Sequence, residues 1–170
     1  MASGDTFLVF TPLAAEMPVS GCASFDTRNQ HPVIDFDSSI QESVVFSGAL
    51  PPGYSAGGLL VTLVWAASTA SGGEASTANH VKWGVAVERL ECGGTNLDDD
   101  SFAVAQSVLA APAATSGQLQ YTEIALADGA AIDYLAAGEF FRLKVTRLAS
   151  ASDDAMPGDA ELRFVMLREI

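Results

Sequence analysis

Positive charge is scarce in this chain of 170 residues. Lys and Arg total 8 against 21 Asp and Glu, a formal net charge of -13. Repulsion from phosphate backbones and anionic headgroups argues against nucleic acid or a membrane surface as the main partner. Histidine is rarer still. His31 precedes Pro32 in a turn-like context and His80 opens a strand-like segment beside Lys82. There is no GxSxG elbow and no Cys–His pairing is suggested, so an activated nucleophile has no visible base. Two histidines also fall short of the ligand set of a metal-dependent jelly-roll enzyme. Cys22 and Cys92 are the only cysteines, outside any CxxC or Cys/His cluster. They read as two reduced thiols of a protein folded in a cytoplasm, although the spacing leaves a single disulfide open.

Long apolar runs are absent as well, and nothing approaches the ~18 consecutive residues that a membrane-spanning helix needs. The first ten residues carry Asp5 and no basic residue, unlike the cationic start of a secretory signal. Gly57-Gly58 and Gly93-Gly94 are two-glycine turns without the lysine or spacing of a phosphate-cradling loop. Nothing selects a catalytic carboxylate pair from the 21 acids. The expectation is therefore a non-enzymatic protein with no catalytic residues, no cofactor and no dedicated metal site. Asn96-x-Asp98-x-Asp100 echoes a calcium loop but lacks its turn glycine and its twelfth-position glutamate. An isolated cation on these acids stays open beside their reading as solvated loop carboxylates.

What is abundant is small. Hydrophobic residues make up 49% of the chain, but 28 of them are alanine, and charged residues reach only 17% against the usual ~25%. Such a composition suits a surface partly hidden in an assembly. Residues 1–30 read as an extended N-terminal arm: Phe7, Leu8, Val9 and Phe10 form an apolar run, and Pro12 and Pro18 then disfavour a helix. The arm either packs on a neighbouring subunit or completes the edge of its own domain.

Residues 31–170 carry the punctuation of one all-β domain. Short apolar runs at Val33–Phe36 and Val44–Phe46 lead to a stop at Pro51-Pro52-Gly53. Leu59–Trp65 is apolar on both faces, as in a strand covered on both sides or one whose outer face meets another chain. His80–Glu88 alternates with Val81, Trp83, Val85 and Val87 on one face, which is strand periodicity rather than helical. Ser101–Leu109 fits a strand or a capped helix, Leu119–Leu126 a strand, and residues 128–137 a short helical turn. Phe140–Leu148 and Glu161–Arg168 complete the set. About eight strands without βαβ alternation predict an antiparallel β-sandwich, most simply a jelly roll. Five of the eight basic residues fall in the last 29, whereas the first 70 hold six acids and only Arg28. That contrast serves either an intersubunit contact or neutralisation between adjacent strands. Trp65 and Trp83 read as core residues, Ser68–Asn79 as a polar surface loop, and Tyr54 as the aromatic most exposed to a ligand or partner.

The order of several short strings resembles a family of small virion structural proteins of tailed phages. They are His31-Pro32-Val33-Ile34-Asp35-Phe36-Asp37, Val44-Val45-Phe46-Ser47-Gly48, Leu50-Pro51 and Tyr54-x-x-Gly57-Gly58-Leu59. Further on come Val81-Lys82-Trp83, Asp98-x-Asp100-Ser101-Phe102, Thr115-Ser116-Gly117, Ala136-Ala137-Gly138-Glu139, Phe141-Arg142-Leu143 and Met156-x-Gly158-Asp159-Ala160-Glu161-Leu162. The similarity runs over about residues 10–170, with an apparently longer Ser71–Asn79 loop and the two cysteines as departures. The resemblance implies a jelly-roll capsid decoration (cement) protein located on the virion surface. It also implies the major capsid protein as partner and a homotrimer. From the residues themselves, Phe7, Leu8, Val9, Phe10 and Pro12 are the expected contacts to a neighbour, and Tyr54 is either a further contact or packed at the rim. The alternative is a receptor- or glycan-binding head of a fibre or tail protein, which would show solvent-facing aromatics around a shallow site. A jelly-roll enzyme would instead need acids converging on a metal in a cleft.

Overall fold

Each segment with two-residue periodicity forms a strand in the computed structural model, which describes residues 6–69 and 79–170. In chain order they are β1 (Thr6–Phe10), β2 (Ser24–Arg28), β3 (His31–Phe36), β4 (Glu42–Ala49), β5 (Leu59–Ala67), β6 (Val81–Leu90), β7 (Gln106–Ala110), β8 (Gln120–Leu126), β9 (Phe140–Arg147) and β10 (Ala160–Glu169). One sheet runs β2-β3-β10-β5-β8, with β1 also beside β10, and the other runs β4-β9-β6-β7. Every pairing is antiparallel, and β3 pairs β10, β4 pairs β9, β5 pairs β8 and β6 pairs β7. That nesting is one long hairpin rolled into two layers, the jelly roll expected from the sequence. The Ser68–Asn79 loop lies almost wholly outside the described residues.

The inward-facing positions make one core. Trp83 meets Phe36 and Trp65 edge-on, with centroids 5.1 and 5.6 Å away, and the Trp65 indole N–H donates to the Thr122 hydroxyl at 2.9 Å. Edge-to-face packing suits the ring quadrupoles and fixes the spacing of the two layers. Residues 101–105 form no helix. The buried carboxylate of Glu88 accepts from the Ser101 backbone N–H at 2.7 Å, and Ala103 N–H donates to the Val87 carbonyl. These bonds hold the segment extended, and β7 starts only at Gln106.

Residues 6–30 belong to the sandwich instead of leaving it. β1 registers Val9 against Met166 and Phe10 against Val165, and β2 forms a hairpin with β3 through Asn29 and Gln30, both at positive φ. Between them, Glu16 and Val45 exchange backbone hydrogen bonds at 2.8 and 3.0 Å, while Ser43 donates to Gly21 and accepts from Ala23. The connection thus seals the free side of β4, a standard protection for an edge strand. β1 and β2 also raise the strand number from about eight to ten.

One ion pair joins both sheets to the polar loop at 148–159. Arg147, the last residue of β9, and Asp154 both have fully buried side chains. All five N–H bonds of the guanidinium are used. Nε and Nη2 donate to Asp154 at 3.2 and 2.9 Å, Nη2 also to the Met156 carbonyl at 2.8 Å, and Nη1 to the carbonyls of Gly158 and Phe36 at 2.8 and 3.3 Å. The second Asp154 oxygen accepts in addition from the Lys82 backbone N–H at 2.9 Å. A buried charge with every donor satisfied holds its place strongly, while removing one partner strands the other. Arg147→Met should therefore lower the unfolding free energy by about 3–5 kcal/mol in chemical denaturation. The double variant Arg147→Met, Asp154→Leu should recover most of that loss.

Candidate functional site

The outer faces of the two sheets differ in what covers them. On the four-stranded sheet, Phe102 lies over Lys144 and Arg142 at 4.1 and 5.0 Å, and Arg142 bonds Glu88 at 2.8 Å and Asp100 at 2.6 Å. That face is closed by its own chain. The outer face of the six-stranded sheet has its own contacts, Arg163 over Phe164 at 4.1 Å and Arg168 with Glu123 at 2.8 Å, but leaves Tyr121 and Leu119 exposed.

Register places the outward residues of the open face in rows. Val9, Met166, Thr62 and Glu123 form one row, and Phe164, Val64 and Tyr121 form the next. Most of these side chains are apolar, as the two-sided hydrophobicity of Leu59–Trp65 implied. An open trough of ≈ 640 Å³ runs over them, lined by Thr62, Val64, Leu119, Gln120, Tyr121, Glu123, Met166 and Arg168. Tyr121 stands 70% exposed at its side and Leu119 is 54% exposed. The polar rim is set by Arg168, whose Nη2 donates to Glu123 at 2.8 Å. A shallow apolar floor with one exposed aromatic and a few fixed polar groups is a binding surface rather than a reaction centre.

Beyond Leu119 the face continues into a second hollow of ≈ 280 Å³, lined by Arg28, Asn29, His31, Val33, Ala66, Gly117, Leu119, Glu161 and Arg163. Arg28 is fixed there by Glu161 at 2.6 Å and by the Ser116 hydroxyl at 2.9 Å. It lies so close over Gly117 that a Cβ at that position would sit 2.7 Å from its Nε, and φ there is +76°. The positive φ favours glycine, and a side chain there would have to displace the Arg28 guanidinium. Past this hollow stands Asp35, cross-strand from Glu161. Its carboxyl is pushed up from 3.8 to about 6, first by burial and then by the charges of Asp159, Glu161, Asp26 and Glu42.

The residues expected to form an interface are placed differently. Phe10 is buried and stacks on Phe46 at 5.3 Å, Pro12 is buried, and Leu8 packs against the core. Their hydrophobicity is spent on closing the sandwich, so these three do not form a free arm. Val9, the outward residue of β1, is 53% exposed and borders the open face. The side chain of Phe7 lies outside the described residues. Tyr54 is not the exposed aromatic: it is 7% exposed, and its hydroxyl accepts from Gly58 N–H at 3.1 Å and donates to Asp128 at 3.4 Å. The Pro51-Pro52-Gly53 turn carries it back into the core, where Tyr54 N–H bonds the Pro51 carbonyl.

The acidic turn is satisfied within the chain. Asp99 accepts from the Asn96 side chain at 3.1 Å, Asn96 from the Asp98 N–H at 3.2 Å, and Asp100 from Arg142. Among the described residues no three His, Cys, Asp or Glu are grouped to hold a metal ion. Cys22 and Cys92 are both exposed and unbonded. The late basic residues pair with acids on adjoining elements, Arg168 with Glu123 and Arg142 with Glu88, so neutralisation is internal for these.

Tyr121, Arg163 and Arg168 were not singled out from the sequence. The alternation of Leu119, Tyr121 and Glu123 against Gln120, Thr122 and Ile124 did carry a signal, because a face mixing aromatic and charged residues faces solvent. Nothing in the sequence signals Arg163.

No protein-family model and no curated protein matches the chain. Among solved structures, the carbohydrate-binding module TmCBM61 in complex with β-1,4-galactotriose aligns over 95% of this chain and 88% of its own, at 16% identity and a TM-score of 0.41. A family 11 carbohydrate-binding module of the cellulosomal cellulase Lic26A-Cel5E of Clostridium thermocellum aligns over 95% and 86%, at 10% identity and 0.44. The xylan-binding module CBM15 aligns over 95% and 96%, at 8% identity and 0.48. At these values the likeness extends no further than the layered β-architecture.

The Asp35 shift has a definite sign. The folded carboxyl keeps its proton up to about pH 6, whereas an unfolded one releases it near 3.8, so stability falls as pH rises between these values and is level above them. Asp35→Asn should raise stability at neutral pH by about 1–2 kcal/mol after allowance for solvent screening, and by nothing once the pH is well below 3.8. Paired thermal unfolding at the two pH values checks both halves.

Proposed function

We propose that this protein is a non-catalytic binding module that holds a carbohydrate chain across the outer face of its six-stranded sheet. The observation that carries this reading is Tyr121, an amphipathic ring largely exposed beside an open trough. Sugar rings offer an apolar C–H face and a belt of hydroxyls. The C–H face stacks on an aromatic ring, and fixed polar groups at the rim take the hydroxyls. Val64 and Met166 supply the floor, while Glu123 and Arg168, bonded to each other, supply acceptors and donors in fixed positions. On a phage particle, as the resemblance of the sequence implies, such a module is a receptor- or glycan-binding head of a fibre or tail.

A second reading, capsid decoration, is favoured by the apolar character of the same face and by two bare edges. β7 and β8 end their sheets without a further strand among the described residues, and Leu109 is partly exposed beside them. In that reading the face buries itself on the major capsid protein or on further copies in a trimer, at ~800 Å² per partner. Copy number in purified particles separates the two: a decoration protein matches the major shell protein, a fibre or tail head falls far below it.

Replacing Tyr121 tests the carbohydrate reading. Tyr121→Ala should weaken binding of the best ligand from an oligosaccharide array by about tenfold. The melting temperature should stay the same, because the ring is mostly in solvent. Undiminished binding by the variant would count against the site.

A further inference from the structure

We infer that the hollow beside the trough is a subsite for an acidic sugar, with Arg163 as the residue that reads its carboxylate. The inference rests on the carbohydrate reading above and goes further by giving the ligand a charge.

Arg163 is placed by a defect in the sheet. β10 registers Leu162 against Trp65 and Phe164 against Val64, so Arg163 is the extra residue of a bulge. Bulges re-aim side chains and are over-represented beside binding sites. The guanidinium lies over the Phe164 ring, 4.1 Å from its centroid. Its Nη1 is buried and has no hydrogen-bond partner among the described residues, so a ligand in the hollow would meet the other N–H groups of the fork.

The company it keeps makes this informative. Among the described residues Arg28, Arg89, Arg142, Arg147 and Arg168 each have an acidic partner within 4 Å, and Arg163 has none. In a chain with 21 acids and 8 basic residues, an arginine left without a carboxylate has an unmet demand. The acids nearby are committed or point elsewhere. Glu161 is held by Arg28, and Asp35 lies beyond it without lining the hollow. A ligand carboxylate fits the planar fork of a guanidinium in a bidentate pair, which gives orientation as well as charge. Leu119 lines both hollows, so a sugar stacked on Tyr121 and a carboxylated neighbour on Arg163 belong to one chain.

The probe is tetragalacturonate against its methyl ester, the same backbone with the charge removed, measured by calorimetry. Wild type should bind the acid at least tenfold more tightly than the ester. Arg163→Gln should equalise the two, and Arg163→Lys, which keeps charge without the fork, should retain a partial preference. Equal affinities in wild type, or a preference that survives Arg163→Gln in a folded variant, overturns the inference. A sulfated galactan that outcompetes the galacturonate overturns the carboxylate assignment. If the ester binds through Tyr121 with no preference, only the role of Arg163 fails. If neither form binds and an array of matched acidic and neutral glycans is silent, the carbohydrate reading fails and this inference with it.

Discussion

The buried pair of Arg147 and Asp154 ties together parts of the chain that have little else in common. It links the end of β9 in one sheet, the Phe36 carbonyl in the other, and the loop leading to β10. Asp154 also takes the Lys82 N–H at the start of β6, so the constraint reaches three strands and the loop before β10 through two side chains. Two buried charges gain nothing by transfer from water unless every donor and acceptor is met in one geometry. That requirement fixes where β10 begins. The placement of β10 in turn decides what the outer face of the six-stranded sheet displays, because β10 runs through its middle.

The two faces of the sandwich have been treated differently by the sequence. The four-stranded sheet is covered by residues 101–105 and by Phe102, and the connection between β1 and β2 seals β4. The six-stranded sheet is left open, with apolar rows along β5, β8 and β10 and a polar rim. Apolar surface at this extent has a free-energy cost in water that a monomer gains nothing from keeping. Adhesion, to a glycan or to a protein, is the use we propose for that surface.

How much of this could be read beforehand follows from period. Strands whose two faces differ, such as Val81–Leu90 and Phe140–Arg147, announce themselves by alternation and were placed within a residue or two. β2, Ser-Phe-Asp-Thr-Arg, has no apolar alternation and was missed, because its strand state comes from pairing with β3. The apolar run Leu8–Phe10 was recognised, but local sequence does not say whether such a run meets its own sheet or a neighbour. Tyr54 follows a Pro-Pro-Gly turn that looks exposed, yet the ring folds inward to a partner 74 residues away. The same holds for Arg147 and Asp154. Nothing local distinguishes an arginine ending a strand, or an aspartate in a polar loop, from its solvated equivalents. Arg163 depends on a bulge that only the register with β5 reveals.

The central claim is that the open face of the six-stranded sheet is where this molecule acts. Backbone amide chemical-shift mapping during titration with an oligosaccharide selected from an array tests it most directly. The account predicts perturbations concentrated on β5, β8 and β10, strongest around Val64, Tyr121 and Arg168, with the covered sheet silent. Perturbations centred on β4, β9 or β6, or saturable binding that leaves Tyr121 and its neighbours unmoved, would contradict it.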